Sequence, residues 1–179
     1  ADQKLEQSEN LTRLKFLCKD VKEIEESYFD IALSLFNVVN YISDSSSLLR
    51  FFRAINDRLI QKGLFVFDCW NGIAAIIDNP KEKKTLVGRG EERVQVRMMP
   101  DINLMEQKVI MRNTAIVSSQ GREKDRFNFE YAQRLWTPWH LKQMLEGCDF
   151  KMLKITSWAE PNTDAKYNTW KIVFVCQKK

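Results

Sequence analysis

The chain has 179 residues, of which 44% are apolar, and this favours one globular domain with room for a core. Its net charge of +4 comes from basic residues interleaved with acids, so no nucleic-acid partner is expected. No apolar run reaches membrane-spanning length and no signal pattern opens the chain, so no membrane partner is expected either.

The start, ADQKLEQSEN, is polar and carries no initiator methionine, and residues 3–9 read as the last turns of a helix. LKFLCKD (14–20) alternates apolar and polar and stops at Asp20, as a strand does. FDIALSLF (29–36) is nearly continuous in apolar residues, which predicts a strand of a parallel sheet buried on both faces. SDSSS (43–47) supplies N-cap residues, and Leu48, Leu49, Phe51, Phe52, Ile55, Leu59 and Ile60 then recur at helical spacing. Gly63 reads as the stop of that helix. LFVFDCW (64–70) is a second buried strand, ending in Asp68, Trp70 and the pair Asn71-Gly72. Ligands of open α/β sheets bind just beyond such carboxyl ends.

From about 80 to 135 helical periodicity disappears. ERVQVRMM, EQKVIMRNTAIV and DRFNFEYAQRLW read as three β-rich runs separated by PDIN and SSQG, which are turn signals. They predict an antiparallel lid inserted into an α/β core formed by 1–79 and 136–179. Phe127, Phe129 and Tyr131 share one face by period two. Met98, Met99, Met105 and Met111 suit core filling beneath the lid. Lys81, Lys83, Lys84, Arg89 and Arg93 are diluted by Glu82, Glu91 and Glu92 and read as a solvated charged loop.

Thr137-Pro138 caps a helix with proline at its first position. Trp139, Leu141, Met144 and Leu145 give that helix an apolar face, and Gly147 ends it. FKMLKITSW (150–158) and TWKIVFVCQ (169–177) are joined by a ten-residue loop too short for a parallel crossover, so they pair as an antiparallel hairpin.

The four cysteines, Cys18, Cys69, Cys148 and Cys176, show no C-x-x-C spacing, which argues against zinc and for a reducing, cytoplasmic location. His140 is the only histidine. It falls in the first turn of a helix and reads as a surface residue. No metal site is expected.

The stretches LKFLCKDV, YFDIALSLFNVVNYI, LLRFFRAINDRLIQKGLFVFDCWNG, LWTPWHLKQMLEGCDFKMLKITSW and TWKIVFVCQ resemble a class I S-adenosylmethionine-dependent methyltransferase of the small-molecule type. The resemblance runs from that family's third strand to its last. It implies a partial Rossmann-like sheet, from the order 3-2-1-4-5-7-6, with a terminal antiparallel hairpin. It also implies S-adenosyl-L-methionine as cofactor and a small-molecule methyl acceptor. Asp20 would take the adenine amino group, with the Val21 backbone facing the ring. Ser34, Leu35 and Phe36 would lie beside the methionine part of the cofactor. Asn37 and Tyr41 would border the acceptor, with Tyr41 the catalytic candidate that orients or deprotonates it. Asp68, Trp70 and Asn71 would form the far wall.

The chain departs from the family in one respect. The family's Gly-rich turn and its ribose-binding acid are missing, since the sole G-x-G is GRG at 88–90, inside the lid. An N-terminal segment absent from this chain is therefore expected, with strand 29–36 left as an apolar edge. Such an edge could instead be covered by 14–20 or by a second copy, as a homodimer. The alternative function is a non-catalytic pseudo-methyltransferase acting as a binding partner. A nucleic-acid methyltransferase would carry an (N/D)PP(Y/F)-like run where this chain reads SLFN.

Overall fold

The computed structural model describes residues 14–89 and 91–179; the helix expected over 3–9 lies outside them. Two four-stranded sheets form. The first takes β1 (Phe29–Ser34), β2 (Leu59–Trp70), β7 (Phe150–Ser157) and β8 (Lys171–Lys178) in the order β1-β2-β8-β7. β1 and β2 run parallel, and β8 is antiparallel to both β2 and β7. The terminal hairpin is thus as the sequence requires. The second sheet is the meander β3 (Lys83–Arg89), β4 (Glu92–Asn103), β5 (Lys108–Ser119) and β6 (Arg122–Arg134).

One face of the first sheet carries the core. Phe65, Phe67, Cys69, Ile172, Phe174 and Cys176 alternate along β2 and β8 and are fully buried. Phe67 stacks on Phe174 with ring centroids 4.8 Å apart. Helix α2 (Ser45–Arg58) lays Leu48, Phe52 and Ile55 on this face, and α4 (Pro138–Glu146) adds Leu141 and Leu145. Each such side chain contributes about 1.5–3 kcal/mol by leaving water. Asp44 caps α2 by accepting from the Ser47 N–H at 2.8 Å, and Thr137 caps α4 with Pro138 at the first position. The opposite sheet face, with Leu64, Val66, Val173 and Val175, is half-buried.

Three expectations are corrected here. Residues 14–20 form no strand; Asp20 instead caps a 3₁₀ turn at Val21–Glu23, because no neighbouring strand is present among the described residues to pair with it. β1 is not buried on both faces. It stops at Ser34 as the sheet's edge, and Phe29, Ile31 and Leu33 are exposed. Gly63 does not stop α2, which ends at Arg58 and passes directly into β2. It sits where the β1–β2 register jumps between Phe29↔Leu59 and Ile31↔Leu64. A Cβ there would lie 2.9 Å from the Ile60 carbonyl oxygen and 3.2 Å from those of Phe29 and Asp30, so the position is glycine for close approach.

The lid has four strands where three runs were evident, β3 being the addition. PDIN is not a turn. Pro100 lies within β4, beyond the Lys83↔Met98 pair where β3 begins, so its missing N–H leaves no bond to β3 unmade. SSQG does turn the chain, with Gln120 and Gly121 both at positive φ (51° and 73°), as a two-residue hairpin loop requires. Ala75, Val109, Met111 and Leu135 form a second apolar cluster that joins the lid's base to the first sheet, with Met98 and Tyr131 packed against it. Met105 is almost wholly exposed and fills no core.

Candidate functional site

The carboxyl ends of β1 and β2 lie side by side, with Ser34 paired to Phe67. After Ser34 the chain turns sharply: Phe36 and Asn37 both take left-handed φ (68° and 60°) before the one-turn helix α1 (Val38–Tyr41). Non-glycine residues in this conformation are uncommon, and two in succession at a strand end mark stored strain of the kind that clusters at functional sites. The turn aims the Asn37 backbone N–H at Asp68 Oδ2, 3.1 Å away.

Asp68 is completely buried. The same Oδ2 accepts from Lys171 Nζ at 2.9 Å. Lys171 begins β8 and lies one residue pair beyond the strand pair Cys69↔Ile172. Its ammonium sits 3.7 Å from the centroid of the Trp158 ring and 5.9 Å from that of Phe36, so the cation is held between a carboxylate and aromatic faces. Asp68 Oδ1 and Asn37 Oδ1 are both buried without a hydrogen-bond partner. Burial, reinforced by Asp68, pushes the neighbouring Cys69 thiol far above its ordinary range, and that thiol is inert.

A second fixed point is Asn40, also fully buried. Its Nδ2 donates to the Arg134 carbonyl at 2.8 Å and its Oδ1 accepts from the Trp70 N–H at 2.9 Å. Trp136 Nε1 donates to the Val39 carbonyl at 3.1 Å. Helix α1 is thereby tied to β2, to the end of the lid and to the core. Tyr41, half exposed, lies against Tyr131 of the lid with centroids 5.6 Å apart. Burial first, and Tyr41 second, raise the Tyr131 phenol above its ordinary value.

Between the lid and the first sheet lies a cleft of about 390 Å³, lined by Trp70, Pro80, Met98, Met111, Tyr131 and Trp170 among others. Trp70 meets Trp170 edge-on at 5.8 Å. Of the residues expected to wall the acceptor, Trp70 does line this cleft. Asp68 does not; it is enclosed beneath Lys171. Asn71 does not either, because it caps helix α3 (Gly72–Ile77) through Ile73 N–H and donates to the Tyr167 carbonyl at 3.0 Å. Ser34 is buried at the strand end, while Leu35 and Phe36 are open to solvent. Asp20 and Val21 line no part of this cleft. The Arg58 guanidinium, donating to the carbonyls of Lys22 and Ile24 at 2.8 Å each, pins their segment beside β1. There Val21 helps to line an apolar groove of about 220 Å³ with Ile31, Leu33 and Ile55.

Lys171, Trp158 and Asn40 were missed in the sequence. One signal was available: Asp68 and Lys171 are the charged residues at the ends of two apolar strands that must pair. Among the described residues no cluster of His, Cys, Asp or Glu could hold a metal ion, and no helix is long and apolar enough to cross a membrane.

No protein-family model matches the chain, and no curated protein matches it. Solved structures do. A S-adenosylmethionine-dependent methyltransferase from Clostridium acetobutylicum ATCC 824 is 21% identical with a TM-score of 0.76, over 99% of this chain and 72% of that one. The CcbJ methyltransferase from Streptomyces caelestis is 16% identical with a TM-score of 0.75, over 99% and 73%. The sugar N-methyltransferase KedS8 from Streptoalloteichus sp ATCC 53650 is 16% identical with a TM-score of 0.71, over 90% of this chain and 61% of its own length. The fold is that of the S-adenosylmethionine-dependent methyltransferases. In a methyltransferase sheet of order 3-2-1-4-5-7-6, β1-β2-β8-β7 occupies the 4-5-7-6 half, and β1 is the edge that would face strand one.

Proposed function

We propose that this chain carries the acceptor side of an S-adenosyl-L-methionine-dependent methyltransferase acting on a small molecule in the reducing cytoplasm. The observation that carries the reading is the strained turn at Phe36–Asn37. It sits at the carboxyl end of β1 and is locked by Asp68 and Lys171 in a sheet of methyltransferase topology.

The residues present fit one side of the cofactor. The end of β1 offers Ser34, Leu35 and Phe36 for the methionine part, and the 3₁₀ turn offers Asp20 and Val21 for adenine. No glycine among the described residues follows a strand on this edge to let a backbone approach from the other side. The cofactor, when bound, supplies a methyl group on a sulfonium already activated for in-line displacement. The chain's own task is approach geometry and a dry cleft. Trp70, Met98, Met111 and Tyr131 give the cleft its apolar wall, while Asp78, Lys81 and Lys83 line its polar side. Tyr41 borders the acceptor and orients it through its hydroxyl. Asn37 is held by Asp68, so Asp68 and Lys171 act as positioning residues. Asp68 Oδ1 and Asn37 Oδ1 stay buried behind the Phe36–Asn37 turn, so both residues act on its geometry and do not touch the acceptor.

Calorimetric titration with S-adenosylhomocysteine, together with its release from S-adenosylmethionine over a panel of small amines and alcohols, tests this. Saturable micromolar binding and acceptor-dependent release are expected. The absence of both binding and release would overturn the reading. It would favour the second one, a non-catalytic partner protein on a methyltransferase fold, which the missing Gly-rich turn already motivates.

A further inference from the structure

The outer strand of the lid, β6, is exposed at every residue from Arg122 to Glu130. It pairs with β5 on one side and, among the described residues, with no strand on the other. A long, flat, open edge of this kind is a template for another strand. The open stretch has defined limits. At one end the β5–β6 register slips between Val117↔Asp125 and Ser118↔Glu123, leaving Lys124 in a bulge. At the other, α1 covers the strand, with Tyr41 against Tyr131 and Asn40 bonded to the Arg134 carbonyl. The regular free edge is therefore 125–131.

Its two faces differ. Asp125, Phe127, Phe129 and Tyr131 lie on the face that continues down to the cleft, and both phenylalanines are about half exposed. Arg126, Asn128 and Glu130 lie on the other face. There Arg126 pairs with Glu123 at 2.8 Å, Glu130 with Arg112 at 3.1 Å, and Asn128 accepts from the Thr114 hydroxyl at 2.9 Å.

We propose that β6 pairs antiparallel with β6 of a second copy of this chain, centred on Asn128, joining the two lids into one eight-stranded sheet. A two-fold axis perpendicular to the sheet keeps each side chain on its own face, so the axis must pass through a residue and not between residues. Centring on Asn128 sets Phe127 opposite Phe129 of the second copy on the apolar face. It sets Arg126 opposite Glu130 of the second copy on the charged face, and each pair occurs twice. The charges then run Arg112, Glu130, then Arg126 and Glu123 of the second copy, alternating in sign across the junction. Centring on Phe127 instead puts Asp125 opposite Phe129 and Arg126 opposite Asn128, losing both complementarities. Cross-strand aromatic and opposite-charge pairs are the favourable units of a sheet. This contact is independent of the β1 edge and of the methyl-transfer reading.

Sedimentation of the full chain, 21.1 kDa, tests it at concentrations up to about 100 µM, alongside a cysteine scan along β6 in a Cys18→Ser background. The other three cysteines are buried. We expect twice the monomer mass. Mild oxidation of Asn128→Cys should give a disulfide-linked dimer, while Thr114→Cys, one strand inward, should give none. Phe127→Asp should weaken the dimer about tenfold or more without shifting the thermal melt at dilutions where the chain is monomeric, because Phe127 is half exposed in the single chain. A monomer throughout the range overturns the proposal. A dimer indifferent to Phe127→Asp and to oxidation of Asn128→Cys overturns it too, and would move the contact to β1. Crosslinking through Phe127→Cys or Phe129→Cys but not through Asn128→Cys overturns the register.

Discussion

At the scale of single residues, the site depends on one buried charge. Asp68 has no contact with solvent, and Lys171 is its one cationic partner among the described ion pairs. Removing one member of a buried pair leaves an uncompensated charge, which costs about 3–5 kcal/mol, more than the pair itself contributes. Lys171→Met keeps the aliphatic stem between Trp158 and Phe36 and deletes the ammonium. We expect that loss of stability in urea unfolding, with a smaller loss in a Lys171→Met/Asp68→Leu double variant, because the latter removes the stranded carboxylate as well. If the single variant unfolds like the parent, Asp68 is not held by Lys171. Asp44 is the opposite case, an exposed acid. The Ser46 hydroxyl, and Ser47 after it, hold its carboxyl well below the ordinary value of 3.8. A group depressed in the folded state stabilises it above the ordinary value and loses that contribution as pH falls towards the depressed one. Asp44→Asn keeps a capping oxygen that does not titrate. The difference in melting temperature between neutral pH and about pH 3 should therefore shrink in Asp44→Asn.

At the scale of elements, the passage from α2 into β2 sets where the site's strand ends lie. The helix gives way to the strand at Leu59 without a loop, and the excess residues are absorbed between Ile60 and Gly63, with Lys62 at φ 66°. Gly63→Ala must push the Ile60, Phe29 or Asp30 carbonyl away, and all three are backbone. A loss of about 1–3 kcal/mol is expected, with faster hydrogen exchange in β1, because among the described residues only β2 pairs with that strand. An alanine variant with parental stability would show that the junction relaxes freely. The same junction shows what the sequence could reveal. Helical spacing from Leu48 to Ile55 and the cap at 43–47 are local patterns, and both were legible. Gly63 was misread because a glycine after apolar helical spacing looks the same whether it ends a helix or admits a neighbouring carbonyl. LKFLCKD failed as a strand because alternation states a preference and only a partner realises it. Pro100 was misread as a turn because nothing local says that β3 stops short of it.

At the scale of the whole molecule, two sheets that share no strand must be held in one geometry for a cleft between them to have a fixed shape. The apolar cluster at the lid's base supplies the area, and Asn40 supplies the direction. One amide carries the bonds from the end of β2 and to the end of β6, through Trp70 N–H and the Arg134 carbonyl. No sequence pattern exposes such a strut, because its two partners are backbone groups 30 and 94 residues away. Asn40→Ala leaves a backbone donor and a backbone acceptor unpaired where the amide was completely buried, at about 1–3 kcal/mol for each. Asn40→Asp keeps the acceptor for Trp70 N–H but turns an oxygen towards the Arg134 carbonyl, so it should be no better. Hydrogen exchange separates this from general destabilisation. Under native conditions, protection should fall at Trp70 and at the lid base around 108–111 and 131–135. The amides of α4 and the β7–β8 pair should exchange as in the parent at mild conditions. Uniform acceleration everywhere would mean that the two sheets unfold as one unit and that Asn40 is an ordinary core residue. Selective loosening would mean that the lid is a separately mobile body, fixed to the methyltransferase half-sheet at this one amide and the apolar cluster beside it.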